Sequence, residues 1–116
     1  MTPTITRRAE YRPWGHFDQF THNTPSTVKI LTIESGQSLS LQYHNNRMEY
    51  WYILEGNPVI RLRDREFYAM KGEEFMIAKK ELHRVRSEKG LVRILEIALG
   101  DFSEDDIVRT EDLYGR

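Results

Sequence analysis

Short runs in which apolar and polar side chains alternate, each closed by a glycine or a polar turn, constrain this chain more than any other feature. "TVKILTIE" sets Val28, Ile30 and Thr32 against Lys29, Leu31 and Ile33 and stops before Gly36. "SLSLQYH" sets Leu39, Leu41 and Tyr43 against Ser38, Ser40, Gln42 and His44. "EYWYILEG", "VIRLR", "REFYAM", "EEFMIA", "ELHRVRS" and "LVRILEIAL" continue the series, the last ending at Gly100. A two-residue period is that of a strand with one buried face, and about eight such runs spaced roughly 8–12 residues apart predict an all-β sandwich or barrel. The one helical signal is "SEDDIV", where Ser103 can cap a single turn with Asp106 at its third position.

The 116 residues suit one domain with a modest core. Lys plus Arg (17) balances Asp plus Glu (18) with no basic block, which speaks against nucleic acid as a partner. Polar residues interrupt every apolar run well short of about 18 residues, so no membrane span is expected. The opening "MTPTITRRAEYRPWG" lacks the apolar stretch of a secretory signal, and a cytoplasmic location is the expectation. Cysteine is absent, which excludes thiolate ligands and disulfides.

One strand breaks the apolar rule. In "QYHNNRMEYW", alternation puts Gln42 and His44 on one face, and the turn "NNRM" is expected to bring Glu49 back beside His44. His83, in a later strand, completes a set of two oxygens and two imidazoles suited to a divalent ion such as Zn, Fe, Mn or Ni. Coordination would offset the cost of burying a carboxylate and an amide. On spacing alone, solvated histidines and a Glu49–Arg47 ion pair are the more usual reading. His16 and His22 lie in a turn-rich segment and read as surface residues.

"GQSLSLQYHNNRMEYWYILEG", from Gly36 to Gly56, resembles the first cupin motif, with Gln42 in place of its first histidine. "GEEFMIAKKELHRVRS" resembles the second, with Ala78, Lys80 and Ser87 replacing its proline, glycine and asparagine. Together with "YRPWGHF" and "DFSEDDIVRTEDLYGR", the chain over about 11–116 resembles the C-terminal cupin of type II mannose-6-phosphate isomerases, a domain often fused to a mannose-1-phosphate guanylyltransferase. Asn45, Asn46 and Tyr50 stand where that family usually has histidines. The resemblance implies a conical jelly-roll barrel, one divalent metal on Gln42, His44, Glu49 and His83, and aldose–ketose isomerisation of a phosphosugar. It implies pocket roles for Glu96, Arg47 and Arg109, with Glu96 and Arg47 as catalytic candidates and Arg109 as a substrate contact, and a homodimer. Lys80, with Lys79 at a turn beside the expected barrel mouth, is read from its position as a phosphate contact. A non-catalytic sugar or sugar-nucleotide binding module is the alternative. The chain has no Gly-rich phosphate loop and is not expected to make GDP-mannose by itself.

Other features have plainer readings. Trp14 in "RPWG" is expected to pack a terminal strand on the sandwich, and Arg61, Arg63 and Arg65 to line a solvated strand face. Ile107, Val108, Leu113 and Tyr114 suggest that the tail docks on the body, with Arg109 near an acidic partner.

Overall fold

The computed structural model describes residues 5–111. Their secondary structure is strands and turns: β1 (Arg8–Arg12), β2 (Gly15–Gln19), β3 (Thr27–Ile33), β4 (Leu41–Tyr43), β5 (Arg47–Glu55), β6 (Val59–Leu62), β7 (Arg65–Tyr68), β8 (Glu74–Ile77), β9 (His83–Arg86), β10 (Val92–Gly100) and β11 (Val108–Glu111). No helix among them is long and apolar enough to cross a membrane.

Two sheets form the body. One has the order β3-β10-β5-β8, the other β11-β4-β9-β6-β7, and β1 and β2 make a separate hairpin. Alternation decides what each sheet turns inward. Trp51, Ile53, Ile77 and Ile94 from the first sheet meet Ile60 and Val85 from the second in one buried cluster. On the opposite face of the first sheet, Met48, Tyr50, Ile97 and Leu99 are covered by Ile5 and Phe20 from the N-terminal segment.

The corner after β4 brings Glu49 back beside His44 as expected, at 3.6 Å, but it does so by changing sheets. β4 pairs with β9 and β11, whereas β5 pairs with β10 and β8, so the chain crosses between sheets at Asn45 and Asn46. Arg47 and Met48 already belong to β5, so the corner is shorter than "NNRM". Glu49 therefore faces His44 across the interior of the sandwich and not along a ladder.

Two further expectations are corrected, and the docking of the tail is borne out. Trp14, at the hairpin tip, is 72% exposed and does not pack on the body. Arg63 leaves the strand and begins the two-residue β6–β7 loop at φ 58°. The tail docks by adding β11 to the free edge of β4, a strand whose short, charged sequence hid it. Leu113 and Tyr114 lie outside the described residues. The "SEDDIV" turn is present: Ser103 Oγ accepts from the Asp105 amide at 3.2 Å, and the Ser103 carbonyl accepts from the Asp106 amide at 3.0 Å.

Gly56, at the end of β5, sits at φ 85°, and a Cβ there would lie 2.3 Å from the Leu91 carbonyl oxygen. Only glycine fits that closing turn. Lys80, at φ 66°, occupies the same left-handed region without being glycine, which costs a residue with a Cβ about 1–2 kcal/mol.

Candidate metal centre

His44, Glu49 and His83 are each under 4% exposed, and their ligand atoms lie within 4.8 Å of one another. β4 ends just before His44, β5 carries Glu49 and β9 opens with His83. His83 Nε2 is 3.4 Å from Glu49 Oε1, and His44 Nε2 is 3.6 Å from Glu49 Oε2.

Both imidazoles are oriented from behind. His44 Nδ1 lies 2.6 Å from the Asp106 carbonyl oxygen and His83 Nδ1 lies 2.8 Å from that of Glu81. A carbonyl only accepts, so each Nδ1 carries the proton and each Nε2 turns a lone pair toward Glu49 in the neutral ring. Burial lowers the pKa of His44, which favours that neutral form. The Glu49 pKa is lowered as well, which for a carboxyl favours the charged form. Burial would raise its pKa, but His83, His44 and Arg47 together outweigh burial and keep it low.

Glu49 Oε1 and His83 Nε2 are buried without a hydrogen-bond partner. Leaving such groups unsatisfied costs about 1–3 kcal/mol each. A divalent cation would satisfy both, because ligands about 2 Å from a common ion can be roughly 4 Å apart on opposite sides. The residues fit a metal. Gln42 pairs with His83 across β4 and β9, which puts both side chains on one inward face, and its Oε1 accepts from Ser40 Oγ at 2.9 Å. The Gln42 oxygen keeps a second lone pair beside that bond.

Arg47 closes one side of the cluster. Its Nε donates to Glu49 Oε2 at 3.1 Å, Nη2 lies 3.3 Å from His44 Nε2, and Nη1 donates to the Ser103 carbonyl at 3.0 Å. The Phe102 ring lies beneath the guanidinium at 4.3 Å. Glu96, on β10 opposite Trp51, accepts from Trp51 Nε1 at 3.1 Å. Burial, aided by the nearby Glu49 charge, pushes its pKa up to about 7.

Residues 102–106 form a strap over the site that the sequence reading missed. Besides its carbonyl bond to His44, Asp106 accepts the Asn45 and Asn46 amides on its two carboxylate oxygens, each at 2.9 Å. Asp106 and the corner are some 60 positions apart, and "SEDDIV" signalled only a capped turn. The Asn45 and Asn46 side chains are exposed. Tyr50 points to the opposite face of the sheet, where its hydroxyl donates to Glu74. The family histidines replaced at these positions are therefore not missing from the cluster itself.

Lys80 and Arg109 are not brought into the cluster. Lys80 is exposed at the turn before β9, and its amide donates to the His44 carbonyl at 2.7 Å. Arg109 pairs with Gln42 on β11, is exposed, and forms no ion pair among the described residues, contrary to the acidic partner expected. His16 and His22 are exposed, as read.

Two facing sheets with a buried His/Glu cluster between them define a cupin. Solved cupin-fold structures superimpose accordingly. The capsular polysaccharide assembling protein CapF of Staphylococcus aureus gives a TM-score of 0.68 at 18% identity, over 91% of this chain and 34% of that one. A cupin protein of Bacteroides fragilis gives 0.61 at 20% identity, over 69% and 70%. Residues 3–112 match the family described as mannose-6-phosphate isomerase C-terminal, and the chain belongs to it. Among curated relatives, the alginate biosynthesis protein AlgA of Pseudomonas putida is 34% identical over 99% of this chain. The xanthan biosynthesis protein XanB of Xanthomonas campestris is 34% identical over 94%, and a mannose-1-phosphate guanylyltransferase of Salmonella montevideo is 33% identical over 97%. The chain spans about a quarter of each relative's length (24%).

Proposed function

We propose that this chain is a metal-dependent cupin that interconverts an aldose and a ketose phosphate of the mannose 6-phosphate kind, in the supply of polysaccharide or nucleotide-sugar precursors. The observation that carries the reading is the buried pair of unpartnered atoms, Glu49 Oε1 and His83 Nε2, within a family of that name. His44, Glu49 and His83 would hold the ion, with Gln42 as a fourth ligand. Bound there, a divalent cation supplies Lewis-acid stabilisation for negative charge developing on the sugar oxygens.

The chain's own residues do the rest. Glu96, with a pKa near 7, can both take and return a proton, as transfer between C1 and C2 requires. Trp51 Nε1 fixes one of its oxygens. Arg47 donates to Glu49 and adds fixed positive charge to the site. Lys80 and Arg109 are exposed cations available to the substrate's phosphate.

Metal-loaded protein in D2O should convert mannose 6-phosphate to fructose 6-phosphate and place deuterium at C2 of the recovered aldose. Neither flux nor exchange, with sugar phosphate still bound, favours a second reading: a non-catalytic sugar-phosphate module. One observation supports that alternative. The Arg47 guanidinium already lies against two of the three candidate ligands.

The dimer is part of the proposal. β3 is an edge strand with Val28 57% and Ile30 50% exposed on its outer face, and Tyr11 and Trp14 project from a two-stranded hairpin that is marginal by itself. A second copy would cover both surfaces. Light scattering at micromolar concentration should give twice the chain mass for the wild type and the single mass for Ile30→Lys. A monomeric wild type contradicts it.

A further inference from the structure

Arg63 and Lys80 share an unusual property. Both hold a left-handed backbone, φ 58° and 66°, where glycine would be unstrained, and both border the same open groove of about 630 Å³. Asn23, the other non-glycine residue at positive φ among those described, belongs to a type that tolerates the region. Long cationic side chains thus occupy two strained positions on one groove, and Arg61 and Lys79 line it as well. The turns set the left-handed backbone, and at both positions the residue that meets it is a long cation and not glycine.

The groove is partly pre-organised. Arg61 Nε donates to the Arg63 carbonyl at 2.8 Å, which orients its guanidinium. Arg63 Nε is held by Glu81 Oε2 at 3.0 Å. Lys79 and Lys80 are exposed and have no ion pair among the described residues. Four cations face two carboxylates, Asp64 and Glu81, which leaves a net positive groove suited to a dianion. The Lys80 amide bond to the His44 carbonyl places the groove at the end of the sandwich that carries the metal cluster.

We propose that Arg61, Arg63, Lys79 and Lys80 form a phosphate-monoester subsite, the part of the molecule that reads the phosphate of a phosphosugar. This rests on the isomerase reading for its biological ligand but not for its chemistry, because anion binding needs no metal.

The test therefore uses metal-free full-length chain, titrated calorimetrically at low salt with inorganic phosphate and, separately, with mannose 6-phosphate. Wild type should bind both. Lys80→Gly should weaken both by about tenfold while raising Tm by about 4 °C through relief of the strained backbone. Arg61→Gln should weaken both without the gain in Tm. Lys71→Gln, an exposed lysine outside the groove, should change neither. The proposal is overturned if wild type fails to bind inorganic phosphate, if Lys80→Gly binds as tightly as wild type, or if Lys71→Gln loses as much. Phosphate binding without isomerisation would sink the enzymatic reading alone, and isomerisation without phosphate binding would sink the subsite alone.

Discussion

Replacing Glu96 with glutamine is expected to leave the metal bound and to lower the isomerisation rate by about 10²–10⁴-fold. Glutamine keeps an oxygen to accept from Trp51 Nε1, so packing against β5 persists, but it cannot take or return a proton. The same substitution has a second, independent readout in metal-free protein. The Glu96 carboxyl sits near pKa 7 in the fold because it is buried beside Glu49, against about 4.3 in the unfolded chain. A folded-state pKa above the unfolded one means the folded state binds the extra proton between those values. The contribution of Glu96 is fully present below about pH 4.3 and is lost as pH rises through about 7. The Glu96 contribution should therefore fall by about 3 kcal/mol between pH 4.5 and 8, read as the difference in pH dependence between metal-free wild type and Glu96→Gln. Equal pH dependence in the two proteins would remove the physical basis for Glu96 as the proton-transfer group.

Glu49→Ala has the other large effect. Arg47 is 6% exposed, and its charge is balanced mainly by Glu49. Removing one member of a buried pair leaves the other uncompensated and costs about 3–5 kcal/mol. The metal-free variant should lose stability of that order. Exchanging both partners for apolar residues, as in Arg47→Met with Glu49→Leu, should recover most of the stability while still binding no metal. That contrast separates a ligand from a structural ion pair. If Glu49→Ala folds as stably as wild type, Glu49 is not the counter-charge described here.

Much of this was legible in particular residues. Alternation in "TVKILTIE" and "LVRILEIAL" gave two paired strands with Ile33 and Ile94 inward. The Gln42–His44 period put both on an inward face, and His83 falls opposite Gln42. What failed were statements that depend on a third dimension. The turn at "NNRM" brings Glu49 beside His44 as read, but that Asn45 and Asn46 carry the chain to the other sheet was not legible, because sandwich corners and hairpins use the same turn residues. Trp14 suggested packing by its size, yet the hairpin around it has no sheet against its tip. The Asp106 strap joins residues some 60 positions apart, and the left-handed backbone of Arg63 and Lys80 contradicts local preference. Neither has a local signature.

The most direct test of the metal site is the metal content of the protein itself. Wild type and His83→Ala would be stripped with chelator, dialysed against Zn²⁺, Mn²⁺, Fe²⁺ or Ni²⁺ in turn, and analysed by elemental mass spectrometry with circular dichroism as a check on folding. The geometry of His44, Glu49 and His83 predicts a single divalent ion per wild-type chain and none in folded His83→Ala. A wild type that retains none of the four metals, or a His83→Ala protein that retains as much as wild type, would contradict it.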